Sequence, residues 1–136
     1  MQVQPYLFFD GRCEEALEFY KKTLGAKVEM MMRFRENPAP EHNPPGAGDK
    51  IMHSCVRIGQ GVVMMSDGQC NGSPSFSGFS LTYDAKDEAD AKQRFQALAK
   101  DGQVEMPLGE TFFAKAFGAV KDKFGLSWMV IAGAKR

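Results

Sequence analysis

The chain is 136 residues long, which fits one domain of ordinary size. Its 17 Lys and Arg balance 17 Asp and Glu, and this zero net charge, without any basic run, argues against a nucleic-acid partner. A content of 43% hydrophobic residues supports a folded core, yet no segment has the ~18 apolar residues that span a bilayer. Because the N-terminus also lacks a secretion-type sequence and the three cysteines have no paired spacing, we expect a cytoplasmic protein with no membrane partner.

The first half of the chain predicts a strand, a helix and three more strands. The strand "VQPYLFFDG" precedes a helix over residues 13–25, whose apolar stripe consists of Cys13, Ala16, Leu17, Tyr20 and Leu24. In "AKVEMMMRF" the alternation predicts a strand with one common face for Val28, Met30, Met32 and Phe34. Two strands, "KIMHSCVRIG" and "VVMMSDG", then form a hairpin across Gly59-Gln60-Gly61.

A proline-rich stretch lies between the strand "AKVEMMMRF" and the first strand of the hairpin, "KIMHSCVRIG". Residues 36–49, "ENPAPEHNPPGAGD", contain four of the seven prolines, which favours a long mobile loop without internal structure. Loops of this length are often lids or binding loops, so we expect it to lie over the mouth of a cavity.

The second half repeats the order of the first. A strand in "FSLTYDA" precedes a helix near residues 87–101 with Ala91, Phe95 and Leu98 on its apolar stripe. The remaining residues leave room for three strands. The sequence therefore predicts an α+β fold in which two βαβββ modules, about 1–68 and 77–133 of a single domain, pair to form a cupped, mostly antiparallel sheet.

Three segments carry a resemblance to a known family. "PYLFFDGRCEEALEFYKKTLGA", "DKIMHSCVRIGQGVVMMSDG" and "ETFFAKAFGAVKDKFGLSWMV" cover nearly the whole chain in order. They resemble the PhnB-like branch of the vicinal oxygen chelate superfamily, the glyoxalase, bleomycin-resistance and extradiol-dioxygenase group. The resemblance implies the paired-module fold, a homodimer and, in many members, a divalent metal on the wall of the cup.

The metal ligands of that superfamily do not carry over to this sequence. The resemblance puts their places at Gln4 or Pro5, at Gly78 or Phe79, and at Met129. Most of these side chains cannot ligate, and a thioether is too soft for Mg²⁺, Mn²⁺ or Zn²⁺ among oxygen and nitrogen donors. No metal site and no cofactor are predicted, although a divalent metal held by other ligands stays open.

Some sequences of this kind carry the description of a ubiquinone-type methyltransferase. A nucleotide-type methyl donor usually requires a glycine-rich loop after the first strand, and "FFDGRCEEA" has a single glycine there. The sequence argues against that activity.

Candidate site residues come from alternation along "KIMHSCVRIG". His53 and Arg57 share one face, which we expect to be concave, while Met52, Ser54, Val56 and Ile58 face the helix. We predict that His53, Arg57 and Met129 bind a small anionic or oxygen-rich ligand, because few acceptors are expected near the guanidinium. His53 and Glu110 are also candidates for a catalytic base; the plainer alternatives are a solvated strand histidine and a solvated turn charge.

Two classes of function remain open. One is a protein that binds or sequesters a small molecule without chemistry, as the bleomycin-resistance members do. The other is a metal-dependent enzyme of the superfamily, a lyase or isomerase, a glutathione-type transferase or a dioxygenase, with ligands outside the matched positions. Loss of the matched ligands favours binding. A dimeric domain with no ligand is a third, simpler possibility.

Overall fold

The computed structural model describes residues 2–70 and 72–135. The chain forms two compact units, Met1–Pro74 and Ser75–Arg136. Each unit has one helix and one four-stranded sheet.

The first unit has the predicted β-α-β-β-β order. Its elements are β1 (Tyr6–Phe8), α1 (Cys13–Leu24), β2 (Lys27–Arg33), β3 (Ile51–Ile58) and β4 (Gly61–Ser66). The strand order across the sheet is β1-β4-β3-β2, with β1 parallel to β4 and the other pairs antiparallel. The helix α1 therefore connects the two edge strands and covers one face of the sheet.

The predicted helix over residues 13–25 is confirmed. Each residue of the predicted stripe is buried in the core, because recurrence at three and four residues places these side chains on one side of the helix. Gly25 ends the helix with a left-handed φ of 66°, and its N–H donates to the carbonyl oxygen of Tyr20. A residue with a Cβ would be strained in that conformation.

The predicted common face in β2 is wrong. Val28 pairs with Val56 on the helix side, whereas Met30 pairs with Cys55 on the opposite side. The register shifts between Val28 and Met30, so Glu29 is an extra residue in a β-bulge. Because side chains alternate with a period of two, one extra residue moves the side chains that follow, as far as Met32, to the other face; the register shifts again between Met32 and Arg33.

The proline-rich loop also differs from its prediction, because it has internal structure. Two short 3₁₀ turns, Phe34–Glu36 and Pro40–His42, lie within or next to it. Asn43 donates from Nδ2 to the carbonyl oxygen of Phe34 at 2.8 Å, and Asn37 donates from Nδ2 to Oδ1 of Asn43 at 2.7 Å. Asparagine side chains supply local partners that prolines deny to the backbone.

The second unit repeats the topology. Its elements are β5 (Leu81–Asp84), α2 (Glu88–Ala99), β6 (Gln103–Gly109), β7 (Ala114–Lys121) and β8 (Ser127–Ala134). The strand order is β5-β8-β7-β6, and only β5 and β8 are parallel. These two sheets confirm the predicted α+β class. Within the described residues, no helix is long and apolar enough to cross a membrane.

Candidate functional site

The sheet of the first unit has a face opposite α1, which we term the helix-free face. Along β3, Ser54 and Val56 are fully buried on the helix side, while His53, Cys55 and Arg57 on the other side are only half-buried. Strand register identifies the other members of the same face. The helix-free face includes Tyr6, Phe8, Lys27, Met30, Met32, His53, Cys55, Arg57, Val62 and Met64.

Several apolar side chains of this face are exposed. Phe8 is 51% exposed and Met30 is 44% exposed, and Tyr6 is exposed as well. The rings of Tyr6 and Phe8 have their centroids 5.0 Å apart. Thioether and aromatic side chains together give a surface that adapts to the shape of an organic ligand.

His53 is held by a specific polar contact on this face. Tyr6 Oη and His53 Nδ1 share a hydrogen bond of 2.9 Å, and the two rings stack with centroids 5.5 Å apart. The contact occupies one ring nitrogen and fixes the plane of the imidazole. The remaining nitrogen, Nε2, is the one that can meet a ligand.

Arg57 is not short of acceptors, contrary to the sequence-based argument. Its Nε donates to Oε2 of Glu29 at 3.0 Å, and Glu29 is the extra residue of the bulge. This hydrogen bond to the carboxylate, followed by its charge, raises the pKa of Arg57. Among the described residues, the two terminal amino groups of Arg57 have no hydrogen-bond partner. The four N–H donors of these two groups therefore remain available to an anion.

The other predicted site residues belong to the second unit. Met129 lies on β8 opposite Thr82 and Ala119, with its side chain partly exposed. Glu110 follows β6 and accepts a hydrogen bond at 2.6 Å from Nζ of Lys135, a contact that lowers the pKa of Glu110. The proposed grouping of Met129 with His53 and Arg57 stays a prediction, and so does a base role for Glu110.

The residues at the superfamily's ligand positions do not fit a hard divalent cation. Gln4 is the one candidate with an oxygen donor, and its amide nitrogen bonds to Gln2. Within residues 2–70 and 72–135, no three His, Cys, Asp or Glu side chains cluster as a metal site. The matched positions therefore do not supply the oxygen and nitrogen donors that such a cation prefers.

Asp67 is the main polar anchor beneath this face and was not among the residues predicted from the sequence. Its buried carboxylate accepts N–H hydrogen bonds from Gly11 and Cys13, each at 2.8 Å, and from Ile51 at 2.7 Å. In the sequence, an Asp-Gly pair such as Asp67-Gly68 indicates primarily a turn and gives no sign of a buried carboxylate. One feature of the sequence pointed to such an acceptor. Arg12 precedes α1 but makes no side-chain cap, so the first N–H groups of the helix need an acceptor from another part of the chain.

Comparison with known proteins gives consistent matches over the whole length. The sequence profile of the family described as 3-demethylubiquinone-9 3-methyltransferase matches residues 1–131. Protein YjdN of Escherichia coli is 40% identical over 96% of this chain and 94% of its own. Protein PA1353 of Pseudomonas aeruginosa is 38% identical with a TM-score of 0.86 over 99% of both chains. The PhnB protein of Bacillus cereus, which shares the methyltransferase description, is 28% identical with a TM-score of 0.81 over 98% of this chain and 100% of its own.

More distant structures share the fold alone. A glyoxylase/bleomycin resistance protein/dioxygenase domain from a Frankia species has a TM-score of 0.62 and 19% identity over 97% of this chain and 94% of its own.

Proposed function

We propose that this chain, which belongs to the family described as 3-demethylubiquinone-9 3-methyltransferase, binds a small anionic or oxygen-rich organic molecule on its helix-free face. The chain is a PhnB-like protein of the vicinal oxygen chelate type, as its sequence resemblance implied. One observation carries the proposal: a fixed imidazole and a guanidinium with two unengaged amino groups lie on the same partly exposed, aromatic and thioether-rich surface. Apolar sites with a few placed polar groups are the usual form of small-molecule sites.

Methyl transfer, the activity in the family's description, finds little support in this chain. The turn between β1 and α1 would have to receive a nucleotide-type donor at the helix start. There the N–H groups of Gly11 and Cys13 already donate to the Asp67 carboxylate. We infer a binding protein rather than a methyltransferase. Titration calorimetry with S-adenosylmethionine tests this directly, and saturable heat at micromolar donor would contradict it.

The ligand can be sought with a panel of small carboxylates, phenols and phosphonates, screened by thermal shift of the full chain. The tightest compound is then titrated against Arg57→Met, which keeps most of the stem and removes the charged fork. Loss of a charge-assisted hydrogen bond should weaken an anion by ~1.5–3 kcal/mol. Unchanged affinity would contradict a role for Arg57.

A substitution of Glu29 is a matched control, because its expected effect on anion affinity is opposite to that of Arg57→Met. Glu29→Gln removes the carboxylate that competes for the guanidinium, so an anion should bind as tightly as before or more tightly. A comparable loss of affinity in both variants would indicate damage to the sheet, and the Arg57 contact would be rejected.

An enzyme with His53 as general base is the second candidate. It rests on the Tyr6–His53 hydrogen bond, which engages Nδ1, fixes the ring and leaves Nε2 as the nitrogen that could accept a proton. Met129 stays a predicted ligand-binding residue, and Glu110 stays a second candidate for the catalytic base. Metal analysis of the purified protein tests the metal-dependent form of this candidate: one tightly held divalent ion per chain would favour it over simple binding.

A cytoplasmic homodimer completes the proposal. The exposed apolar side chains Val104, Met106 and Phe112 of the second unit gain from a self-complementary contact, which leaves the helix-free face open to a ligand, and a two-fold pair is the commonest closed form. The free thiols of Cys13, Cys55 and Cys70 suit a reducing compartment. Sedimentation that finds only monomer at micromolar concentration would contradict the dimer.

A further inference from the structure

Three sulfur-bearing side chains form one row across the helix-free face. The register pairs Met30 on β2 with Cys55 on β3, and Cys55 with Met64 on β4. Directly opposite residues share a face, with Cβ atoms roughly 4.5–5.5 Å apart. None of the three is fully buried, so an ion can reach the row from solvent.

We propose that Met30, Cys55 and Met64 bind one Cu(I) ion, with His53 Nε2 as a fourth donor. One thiolate and two thioethers are soft donors, which prefer Cu(I) and suit Mg²⁺ or Ca²⁺ poorly. The same softness that disqualifies methionine as a ligand for hard cations is an advantage here. Cu(I) displaces the proton of the Cys55 thiol, and the resulting thiolate neutralises the ion without any change of oxidation state.

His53 is placed to complete this donor set. It lies two residues before Cys55 on the same face of β3, beside the row. The hydrogen bond to Tyr6 Oη engages Nδ1 and leaves Nε2 as the ligating atom. Metal-bound imidazoles usually have such an outer partner, which fixes the ring. Tyr6 lies opposite Met64 in the register of β1 and β4, so the residue that holds His53 is next to the end of the sulfur row.

The other two cysteines provide internal controls. Cys13 is fully buried, and burial followed by the charge of Asp67 raises its pKa. Burial and Asp67 also raise the pKa of Cys70, which favours the protonated thiol. Neither residue belongs to the sulfur row. The site concerns a metal ion and does not depend on the organic ligand proposed above.

The test is an anaerobic Cu(I) titration of the reduced full chain against bathocuproine disulfonate, a coloured Cu(I) chelator. The wild-type chain should withdraw one equivalent of copper. Removing the thiolate in Cys55→Ser should weaken binding by about 100-fold, and removing the outer partner in Tyr6→Phe by about 10-fold. Cys70→Ser should bind as the wild type does. X-ray absorption at the copper edge should detect sulfur neighbours.

Several results would overturn the site. These are failure to compete with the chelator, wild-type affinity in Cys55→Ser, or an equal loss in Cys55→Ser and Cys70→Ser.

Circular dichroism checks that each variant folds. If Cys55→Ser does not fold, Met64→Leu replaces it, since leucine keeps the volume and removes the donor; it should weaken Cu(I) binding by about 10-fold, and an unchanged affinity would reject the site. Arg57→Met should leave copper binding intact, so failure of the copper site is distinguishable from failure of the organic-ligand proposal.

Discussion

The helices α1 and α2 have the same length and follow the first strand of their unit, yet they begin in different ways. In α2, Asp87 precedes the helix and accepts a hydrogen bond at 2.7 Å from the N–H of Asp90. In α1, Arg12 stands in that place without capping the helix, and the first N–H donates to Asp67, 54 residues away in sequence. One helix start is local, and the other depends on tertiary structure.

The buried Asp67 of the first unit and the buried Asp122 of the second differ in the same way, in how far along the chain their hydrogen-bond donors lie. Asp67 connects the start of α1, the turn before it and the start of β3. Asp122 accepts from the N–H groups of Phe124 and Leu126 and from Nε1 of Trp128, all within six residues. Asp67 therefore joins distant segments beneath the helix-free face, whereas Asp122 organises a single turn between β7 and β8.

The largest expected effect is the loss of Asp67. Asp67→Ala leaves three N–H groups without their acceptor in the interior of the first unit and should lower the free energy of unfolding by about 3–5 kcal/mol. Urea unfolding followed by circular dichroism measures it. Asp67→Asn keeps an acceptor for two of the donors and should lose less. Equal effects of the two substitutions would contradict the anchoring role.

Asp122→Ala should have a smaller effect, about 2–3 kcal/mol, because the turn can relax toward water when its acceptor is lost. The chain has one tryptophan, and Trp128 donates to this carboxylate at 2.9 Å. Its fluorescence therefore reports on the second unit during urea unfolding. A loss greater than that of Asp67→Ala would reverse the comparison.

Asp87→Ala removes only a local cap and should lower the free energy of unfolding by about 1 kcal/mol. The matched substitution Arg12→Ala should cost less, because that side chain makes no cap hydrogen bond and its ion pair with Glu15 is screened by solvent. Thermal unfolding of both variants checks the order. A larger loss in Arg12→Ala than in Asp87→Ala would contradict the contrast between the two helix starts.

The smallest expected effect is a pH dependence in the second unit. Burial opposes ionisation of Asp90, but the N–H of Lys86, the Arg94 guanidinium and the Tyr83 hydroxyl together lower its pKa. A lowered pKa stabilises the fold above the unfolded value of ~3.9, and this stabilisation is lost as the pH falls through the folded value.

Asp90→Asn should therefore flatten the acid limb of stability measured by Trp128 fluorescence between pH 5 and pH 2. Glu14, whose pKa is lowered by Arg33 while its side chain stays exposed, provides the control in the first unit. Glu14→Gln, followed by circular dichroism because Trp128 lies in the other unit, should change the acid limb less, since solvent screens that pair. An unaltered acid limb in Asp90→Asn would contradict the assignment.

Much of the fold could be predicted from the sequence. The stripe of α1 and the Ala91, Phe95 and Leu98 stripe of α2 are buried as expected, because helical periodicity needs no knowledge of the partner. For β2 the same reasoning failed at Glu29. Whether an extra residue is accommodated in a strand depends on its neighbour, and alternation within one strand cannot reveal it.

The sequence by itself determined the α+β class, the repeated strand and helix order, and which side chains of β3 share a face with His53. Only the tertiary structure decided that Tyr6 holds His53, that Glu29 meets Arg57, and that Met30 joins Cys55 and Met64 in one row. The physical reason is the range of the interactions. The periodicity of apolar side chains in a helix or strand can be recognised within a dozen residues. Strand register, a β-bulge and the donors of a buried carboxylate depend on segments that meet only when the chain folds.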